Sequence, residues 1–428
     1  MTAAALAAPA ARRGRAGAPT ITLAVLTVAA LLLRAPQIGN PLLDIDEQFY
    51  LLVGDRMLHG ALPYVDIWDR KPIGLFLIYA AIRLLGGDGV VAYQLVATMF
   101  AVATAAVIAT IARKMTNPVA AAAGGLVYLI WLNLFGGGGG QSPIFYNLPV
   151  ALAALAMLRA IERPVAPAIS RHGMGAMLAI GIAMQIKPTA LFEGCLFGLV
   201  LLRLGWLAER RPAAVIALAA RLIAVALAPT LIALAYYAAI GRGDAFWFAN
   251  MTSILLRTAP EHADPAGKLI GILVALVPIA TIALAGLIAA RRQARPAVRF
   301  VRLWLMVAFA AFLAVAPYYN HYALPLLVPL AVAAALGFGR GRLWLITGAV
   351  MAAAMLRLAG YPDLAAAGQA RERLAALDAL IAPNLRGGCL FVFQGPPILY
   401  QRSGACAASR FLFPAHLNYL GEARAIGV

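Results

Sequence analysis

Long apolar runs recur along most of the chain and constrain its fold more than any other feature. They consist largely of Ala, Leu, Ile and Val and carry almost no charge. Of 428 residues, 63% are hydrophobic and 12% are charged, whereas a soluble domain is nearer half apolar and a quarter charged. Such runs predict transmembrane helices, and they lack the alternation of a β-barrel. The sequence therefore predicts an all-α polytopic membrane protein.

The apolar runs predict about eleven transmembrane helices. They are expected at 20–38, 90–112, 117–135, 144–160, 173–186, 188–205, 214–239, 269–290, 301–317, 321–338 and 343–358. A further apolar segment at 72–85 is short for a span, and we expect a juxtamembrane or half-inserted helix there. The alternative is that this segment crosses with help from its neighbours.

The distribution of Lys and Arg predicts the orientation. The net charge of +18 is spread over short basic clusters between apolar runs, and such clusters are typical of cytoplasmic loops. Because no basic stripe is interleaved with aromatic residues, we expect no nucleic-acid partner. The clusters place the N-terminus inside and the C-terminus outside. They also favour a segment 72–85 that does not cross, and a first span that is a helix rather than a cleaved signal peptide.

The sequence divides into three predicted parts. Residues 1–19 form a basic cytoplasmic tail, residues 20–358 the membrane domain with a first external loop at 39–88, and residues 359–428 a small external α/β domain that ends without a clear cap, as if truncated. In this last part, we expect short strands at 389–393 and 410–413.

The three cysteines are interpreted by location. Cys195 lies in a predicted span and is expected to fill the core. Cys389 and Cys406 both lie in the external part, where two thiols can oxidise to a disulfide. Two unrelated free thiols are the alternative. The cysteines and histidines show no zinc spacing.

The stretch 42–85 holds six of the 17 carboxylates: Asp44, Asp46, Glu47, Asp55, Asp66 and Asp69. Polar groups crowded between membrane spans are costly, so we expect the chemistry here. A carboxylate of Asp46 or Glu47 at a membrane edge suits a general base, because partial desolvation raises its pKa. Asp44 could share this task or help hold a cation. The alternative is that Asp44 or Asp46 caps the following helix.

Three cationic groups are candidates for binding an anion. Lys71 precedes Pro72 at a predicted helix start, which favours phosphate, although a snorkelling lysine is the alternative. Lys187 is isolated at the outer membrane edge, so a buried anion is a reasonable partner; Glu193 could be that anion. His321, in an aromatic segment, could bind phosphate or a sugar hydroxyl, or the aromatics could form an interfacial belt.

A run of five glycines, Gly136 to Gly140, interrupts the apolar pattern. Such a run cannot hold a helix, and we expect a mobile loop. It is not a phosphate-binding P-loop, because the Lys-Ser/Thr ending is missing.

Three blocks in the first external loop carry a family resemblance. They are Asp46-Glu47-x-x-Tyr50, Met57-Leu58-x-Gly60-x-Leu62-Pro63-Tyr64 and Asp69-Arg70-Lys71-Pro72-x-Gly74. This pattern resembles the first loop of GT-C glycosyltransferases, in the family 39 branch of protein O-mannosyltransferases and lipid A aminoarabinose transferases. Ile73 stands where that branch has a second proline. The segments 319–325 and 391–417 are similar to later parts of the same proteins.

The resemblance implies inverting sugar transfer from a polyprenyl-phosphate donor to a lipid, glycan or protein acceptor outside a bacterial inner membrane. Asp46 or Glu47 would be the base, with Asp44 assisting. The remaining site residues fall into two sets. The donor phosphate would be held by Lys71, Arg70, Lys187 and His321, and the substrate pocket would include Tyr50, Tyr64, Asp69 and Tyr319. The acids permit a divalent cation, Mg²⁺ or Mn²⁺, on Asp46 and Glu47, without requiring one.

Two other classes of function are weaker. A secondary transporter or flippase, with Lys187 and Asp46 as a relay, would usually show paired repeats with broken helices at the midplane. Here the polar residues gather in one loop and at one face. A non-catalytic scaffold leaves the acidic loop unexplained.

Overall fold

The computed structural model describes residues 17–256, 264–293 and 295–427. Most of the predicted basic tail, including Arg12, Arg13 and Arg15, lies outside these residues, as does Val428. The described chain is almost entirely helical, with one two-stranded sheet.

All eleven predicted spans are helices. We number α2 and α3 in the first loop and the spans as follows: α1 Gly17–Arg34, α2 Ile45–Leu58, α3 Ile73–Arg83, α4 Val90–Ala112, α5 Pro118–Leu134, α6 Ser142–Glu162, α7 Ala166–Met184, α8 Leu191–Glu209, α9 Pro212–Ala239, α10 Gly243–Trp247, α11 Ser253–Leu255, α12 Pro265–Ala289, α13 Pro296–Leu313, α14 Leu327–Phe338 and α15 Arg342–Leu358. In the described part of the chain, seven helices are long and apolar enough to cross a membrane: α1, α4, α6, α8, α9, α12 and α13. The other four predicted spans are shorter or more polar helices. The prediction of an all-α polytopic fold is confirmed.

Local chemistry explains where these helices begin. The side chain of Asn117 accepts a hydrogen bond from the backbone N–H of Ala120 at 3.0 Å, and Pro118 occupies the first position of α5. Asp264 caps α12 in the same way through the N–H of Gly267. Proline lacks the N–H that a first turn leaves unpaired, so it is well tolerated there.

The segment 72–85 contains the short helix α3 of 11 residues, about 16 Å long at 1.5 Å per residue and too short to cross a membrane alone. Its N-terminal end is tied to the loop after α7, because the N–H of Leu75 donates to the carbonyl of Gln185 at 3.2 Å. Gly54 of α2 lets the two loop helices pack closely: an added Cβ would lie 2.6 Å from the backbone of Tyr79.

The C-terminal part contains α16 Ala366–Leu385, β1 Cys389–Leu390, α17 Ile398–Ser403, β2 Cys406–Ala407, α18 Ala415–Asn418 and α19 Leu420–Ala425. The two short strands are parallel, and the disulfide Cys389–Cys406 joins them. The first predicted strand is therefore shorter than expected, and the one predicted at 410–413 is wrong. Phe411 and Phe413 alternate because they pack against the first loop: the ring of Phe413 lies 5.3 Å from Phe49, and that of Phe411 lies 6.0 Å from Trp68.

Cys195 also differs from expectation. It is a free cysteine on the exposed face of α8, where lipid rather than the core would surround it.

The site described next lies where the first loop meets the loops after α5, α7 and α13. We call this the loop end of the bundle. Contacts from several segments converge there: the amide of Gln141 reaches Asp44, and the hydroxyl of Tyr237 donates to the carbonyl of Pro63 at 3.1 Å.

Candidate functional site

The start of α2 orients the acids of the first loop. Asp44 is the N-cap residue, since its side chain accepts a hydrogen bond from the N–H of Asp46 at 2.8 Å. The capping alternative therefore holds for Asp44. One helical turn presents Asp46 at the surface, with 19% of its side chain exposed, and turns Glu47 into the core, where it is fully buried.

Lys71 faces Asp46 across the loop. Its Nζ lies 3.5 Å from Asp46 Oδ1 and 3.7 Å from Asp69 Oδ2, and 4.9 Å from the centre of the Tyr50 ring. The hydroxyl of Tyr64 donates to the carbonyl of Lys71 at 2.9 Å. The loop therefore brings five predicted site residues together around one ammonium group.

Asp69 fixes the backbone of this turn. Its Oδ1 accepts hydrogen bonds from the N–H groups of Arg70 at 2.5 Å and Lys71 at 3.1 Å, and the side chain is buried. An aspartate that bonds to the next backbone N–H groups stabilises a turn. In this structure Asp69 positions Lys71 rather than lining an open pocket.

Gln141 is a residue that the sequence reasoning missed. Its Nε2 donates to Asp44 Oδ1 at 2.8 Å and to Asp46 Oδ2 at 3.1 Å, so one buried amide joins the two acids. The available signal was its position directly after the glycine run.

The two joined acids differ in pKa. Burial and the negative charge of Asp46 raise the pKa of Asp44 to about 6. Burial alone would also raise the pKa of Asp46, but the positive charge of Lys71, the hydrogen bond from Gln141 and the charge of Lys187 together lower it to about 2. Asp46 is thus a stable carboxylate beside two cations.

Lys187 and His321 reach the same site from distant loops. Lys187 interacts electrostatically with both Asp46 and His321, and its Nζ lies 4.5 Å from the ring centre of Tyr322. His321 stacks on Tyr319 with ring centres 5.9 Å apart. Burial and the charge of Lys187 lower the pKa of His321 to about 3. Its imidazole is therefore neutral near pH 7 and suits a hydrogen-bond role better than the cationic one.

Arg70 is engaged elsewhere. Its Nη1 forms an ion pair with Glu422 Oε2 at 2.5 Å, and its guanidinium lies 5.3 Å from the Trp68 ring centre. The ion pair links the loop to the C-terminal part. A role for Arg70 in phosphate binding stays a prediction, and it would require this pair to open.

The C-terminal part covers the loop. The N–H of Trp68 donates to the carbonyl of Arg410 at 3.0 Å, and Arg56 donates to the carbonyl of Ala405 at 2.9 Å. Phe413 lies 5.9 Å from Lys71 Nζ. This part therefore forms one wall of the site.

Glu47 does not fit the predicted role of an accessible base. Burial raises its pKa to about 8, so the acid is mostly protonated at neutral pH. Within the described chain, neither oxygen makes a hydrogen bond of standard geometry. Its position under the glycine run also separates it from Asp46 as a metal ligand.

The glycine run is buried rather than a mobile loop. Four of its five residues are buried, and the guanidinium of Arg34 donates to the carbonyls of Gly137 at 2.5 Å and Gly139 at 2.6 Å and to Thr98 Oγ1 at 2.8 Å. Arg34 is a second residue that the sequence reasoning missed, because it reads as the end of an apolar span. We call Arg34, Glu47 and Gly136–Gly140 the glycine clamp.

Close packing explains the glycines. An added Cβ on Gly138 would overlap Gln37, and one on Gly139 would overlap the carboxyl group of Glu47. The carbonyl of Gly140 accepts a hydrogen bond from Tyr79 at 2.7 Å. The run thus passes close over Glu47 and ends by placing Gln141 on the two aspartates.

No group of three or more metal-binding side chains converges within the described ranges. Asp44 and Asp46 are the two acids held together, in place of the predicted pair Asp46 and Glu47. Two carboxylates fit Mg²⁺ when substrate oxygens and water complete its shell.

Comparison with known proteins identifies the fold. No protein-family model matches the sequence, and no curated protein matches it. Among solved structures, the chain is similar to ArnT from Cupriavidus metallidurans bound to undecaprenyl phosphate, with 15% sequence identity and a TM-score of 0.68 over 94% of this chain and 88% of that one. At this identity the likeness concerns architecture. The chain therefore has the expected GT-C-like polytopic fold, shared with ArnT.

Proposed function

We propose that this protein is an integral-membrane glycosyltransferase that moves a sugar from a polyprenyl-phosphate donor to an acceptor hydroxyl, with inversion at the anomeric carbon. One observation carries the proposal: Lys71 lies between Asp46 and Asp69, with Lys187 in electrostatic range of the same carboxylate. A cation pair beside an acid suits a reaction in which a phosphate leaves and a hydroxyl loses its proton. The solved ArnT structure, bound to undecaprenyl phosphate, supports this donor class.

Lys71 and Lys187 would bind the donor phosphate. The distance of 3.5 Å from Lys71 Nζ to Asp46 Oδ1 exceeds the roughly 2.7–2.9 Å of a tight charge-assisted hydrogen bond. A phosphate oxygen can therefore compete for this ammonium group. Fixed cations stabilise the negative charge that grows on the leaving phosphate.

Asp46 would act as the base. The acceptor oxygen forms a bond to the anomeric carbon, its proton passes to Asp46, and the bond from that carbon to the phosphate oxygen breaks. The electron pair leaves with the polyprenyl phosphate. Bound phosphate also offsets the charges of Lys71 and Lys187, so the pKa of Asp46 rises towards the range of an efficient base.

The isoprenoid tail would lie in an apolar groove between α7, α8 and α9. The groove has about 930 Å³ of empty space and is lined by Met177, Leu191, Cys195 and Leu222, among others. Its end at Leu191 adjoins Glu193, which lines the cleft that contains Lys187. This continuity favours a lipid whose headgroup reaches Lys187.

The remaining assignments follow from this proposal. Residues 20–358 would form the catalytic membrane domain and residues 359–428 its external cover, with the loop end facing outward from a bacterial inner membrane. The acceptor would be a lipid, glycan or protein. Mg²⁺ or Mn²⁺, if used, would bind Asp44 and Asp46 together with donor oxygens.

The test is sugar transfer by purified protein in liposomes with a panel of polyprenyl-phosphate sugars. We expect transfer with at least one donor and loss of about 100-fold or more in Lys71→Met, the order seen when a key stabilising group is removed. EDTA treatment of the same samples measures the metal requirement. Binding of these lipids without transfer of sugar from any of them would contradict the proposal.

A further inference from the structure

A second polar cleft adjoins the Lys71–Asp46 site. It lies between α6, the start of α8, α13 and the turn before α14, and it has about 410 Å³ of empty space. Tyr146, Lys187, Thr189, Glu193 and Tyr322 form its polar lining, and Phe312 and Leu326 contribute apolar surface. This volume falls within the range of small-ligand pockets.

Glu193 is the unexplained group in this cleft. The residue is 3% exposed, and among the described residues its carboxylate makes no ion pair and no hydrogen bond to another residue. Lys187 shares the cleft, but its ammonium group lies over the ring of Tyr322 at 4.5 Å, so Glu193 is not its ion-pair partner. A buried carboxylate is costly unless donors satisfy it.

The neighbouring groups restrict what can satisfy it. Lys187 acts electrostatically on Asp46 and His321, which places the inner side of the cleft next to the reaction site. The hydroxyl groups of Tyr146 and Thr189 lie 3.4 Å apart, close enough to bond to each other. A ligand that fills the cleft therefore meets a cation at one side and an acceptor of hydrogen bonds at the other.

We propose that this cleft binds the sugar of the donor and that Glu193 accepts a hydrogen bond from a hydroxyl or ammonium group on that sugar. The inference rests on the proposed function, because it places the donor phosphate at Lys187. A sugar phosphate presents an anion and hydrogen-bond donors a few ångströms apart, as the cleft requires. Glu193 thus becomes a residue that selects the sugar and takes no part in bond breaking.

The experiment compares two lipids on each variant. Binding of undecaprenyl phosphate without sugar and of undecaprenyl-phosphate sugars is measured on the full-length protein in nanodiscs. We expect Glu193→Gln to bind the bare lipid within about 2-fold of the parent. Sugar-loaded lipid should bind about 10-fold more weakly if Glu193 accepts from a hydroxyl, and up to about 100-fold if it accepts from an ammonium group, since bonds between charged groups are stronger.

Controls separate this role from a structural one. Glu209→Gln makes the same change at the exposed far end of α8 and should leave both affinities unchanged. Lys187→Met should weaken both lipids. Glu193→Asp keeps the charge and should recover part of the affinity for the sugar-loaded lipid, which also guards against a Glu193→Gln variant that fails to fold.

The outcomes are distinct from those of the proposed function. If Glu193→Gln binds every sugar-loaded lipid as tightly as the parent, or weakens bare and loaded lipids equally, the inference is overturned. If the parent binds sugar-loaded lipid in a Glu193-dependent way but transfers nothing, the sugar site stands and the transferase proposal fails. If the parent shows no preference between loaded and bare lipid, both the sugar site and the specificity role of Glu193 are refuted.

Discussion

Asp46 and Glu47 are neighbours in sequence, yet they belong to two different regions of the molecule. Asp46 faces Lys71 with part of its side chain exposed, and surrounding cations lower its pKa. Glu47 is buried in the glycine clamp, where desolvation raises its pKa to about 8. Two acids of similar chemistry thus acquire opposite properties because one helical step turns them toward different surroundings. The comparison teaches that one region performs chemistry and the other holds it in place.

The largest expected effect is a difference in transfer between the two acids. Asp46→Asn removes the base and should lower kcat by about 100- to 10,000-fold, the usual contribution of a general base. Glu47→Gln replaces a protonated acid with an isosteric amide and should stay within about 3-fold of the parent. Steady-state transfer with one donor measures both variants. Equal losses in the two variants would erase the proposed distinction.

The glycine clamp can be tested through stability. Gly139→Ala places a methyl group against the carboxyl group of Glu47 and should destabilise the fold by about 1–3 kcal/mol, as overpacking does. Gly271→Ala is the matched control, because a Cβ there meets nothing within 4 Å. Thermal unfolding in detergent measures both.

A second variant checks the cause of that destabilisation. In a Glu47→Ala background, Gly139→Ala should cost less, since the overlapping group is gone. A penalty that is unchanged by removing Glu47 would show that the glycine run is not packed against this residue.

A smaller effect is expected from Asp44. Its pKa of about 6 means that it gains a proton as pH falls through this value, which weakens its hydrogen bonds from Gln141 and the Asp46 amide. We expect kcat/KM to fall by up to about 10-fold below pH 6, and Asp44→Asn to lack this limb while showing a lower plateau. The pH–rate profile checks this. An unaltered limb in Asp44→Asn would assign the titration to another group.

The smallest effect concerns the pH dependence of stability. The pKa of Glu47 is raised from 4.5 to about 8, so between these values the unfolded state has lost a proton that the folded state keeps. Stability is therefore highest below about pH 4.5 for this group and declines as pH rises towards 8. Glu47→Gln should reduce the decline in unfolding midpoint by a few degrees. A decline of the same size in both proteins would contradict the buried, protonated acid.

The sequence predicted the transmembrane architecture well, because long apolar runs report directly on the membrane environment. It also located Asp46, Lys71, Lys187 and His321, since polar groups among spans stand out against apolar surroundings. Their convergence depends on how four loops pack, and no local pattern states this. The roles of these residues remain proposals.

Other features were misjudged for the same physical reason. Five glycines in a row indicate a flexible segment, and only the packing against Gln37, Glu47 and Tyr79 shows that the run is clamped. Arg34 appears in sequence as the end of an apolar helix, although its guanidinium binds the clamp carbonyls. Gln141 carries no sequence signal of its own, because its significance comes from the two aspartates that it joins.

The most direct test of the central claim is the affinity for undecaprenyl phosphate of the parent, Lys71→Met and Lys114→Met. Lys114 is an ion-paired lysine bonded to Glu162 at 2.8 Å, at the α4–α5 junction, and so controls for loss of a positive charge. The account predicts that Lys71→Met binds at least about 10-fold more weakly, the loss of one charge-assisted hydrogen bond, while Lys114→Met binds like the parent. Equal affinity in all three proteins would contradict a phosphate site at Lys71.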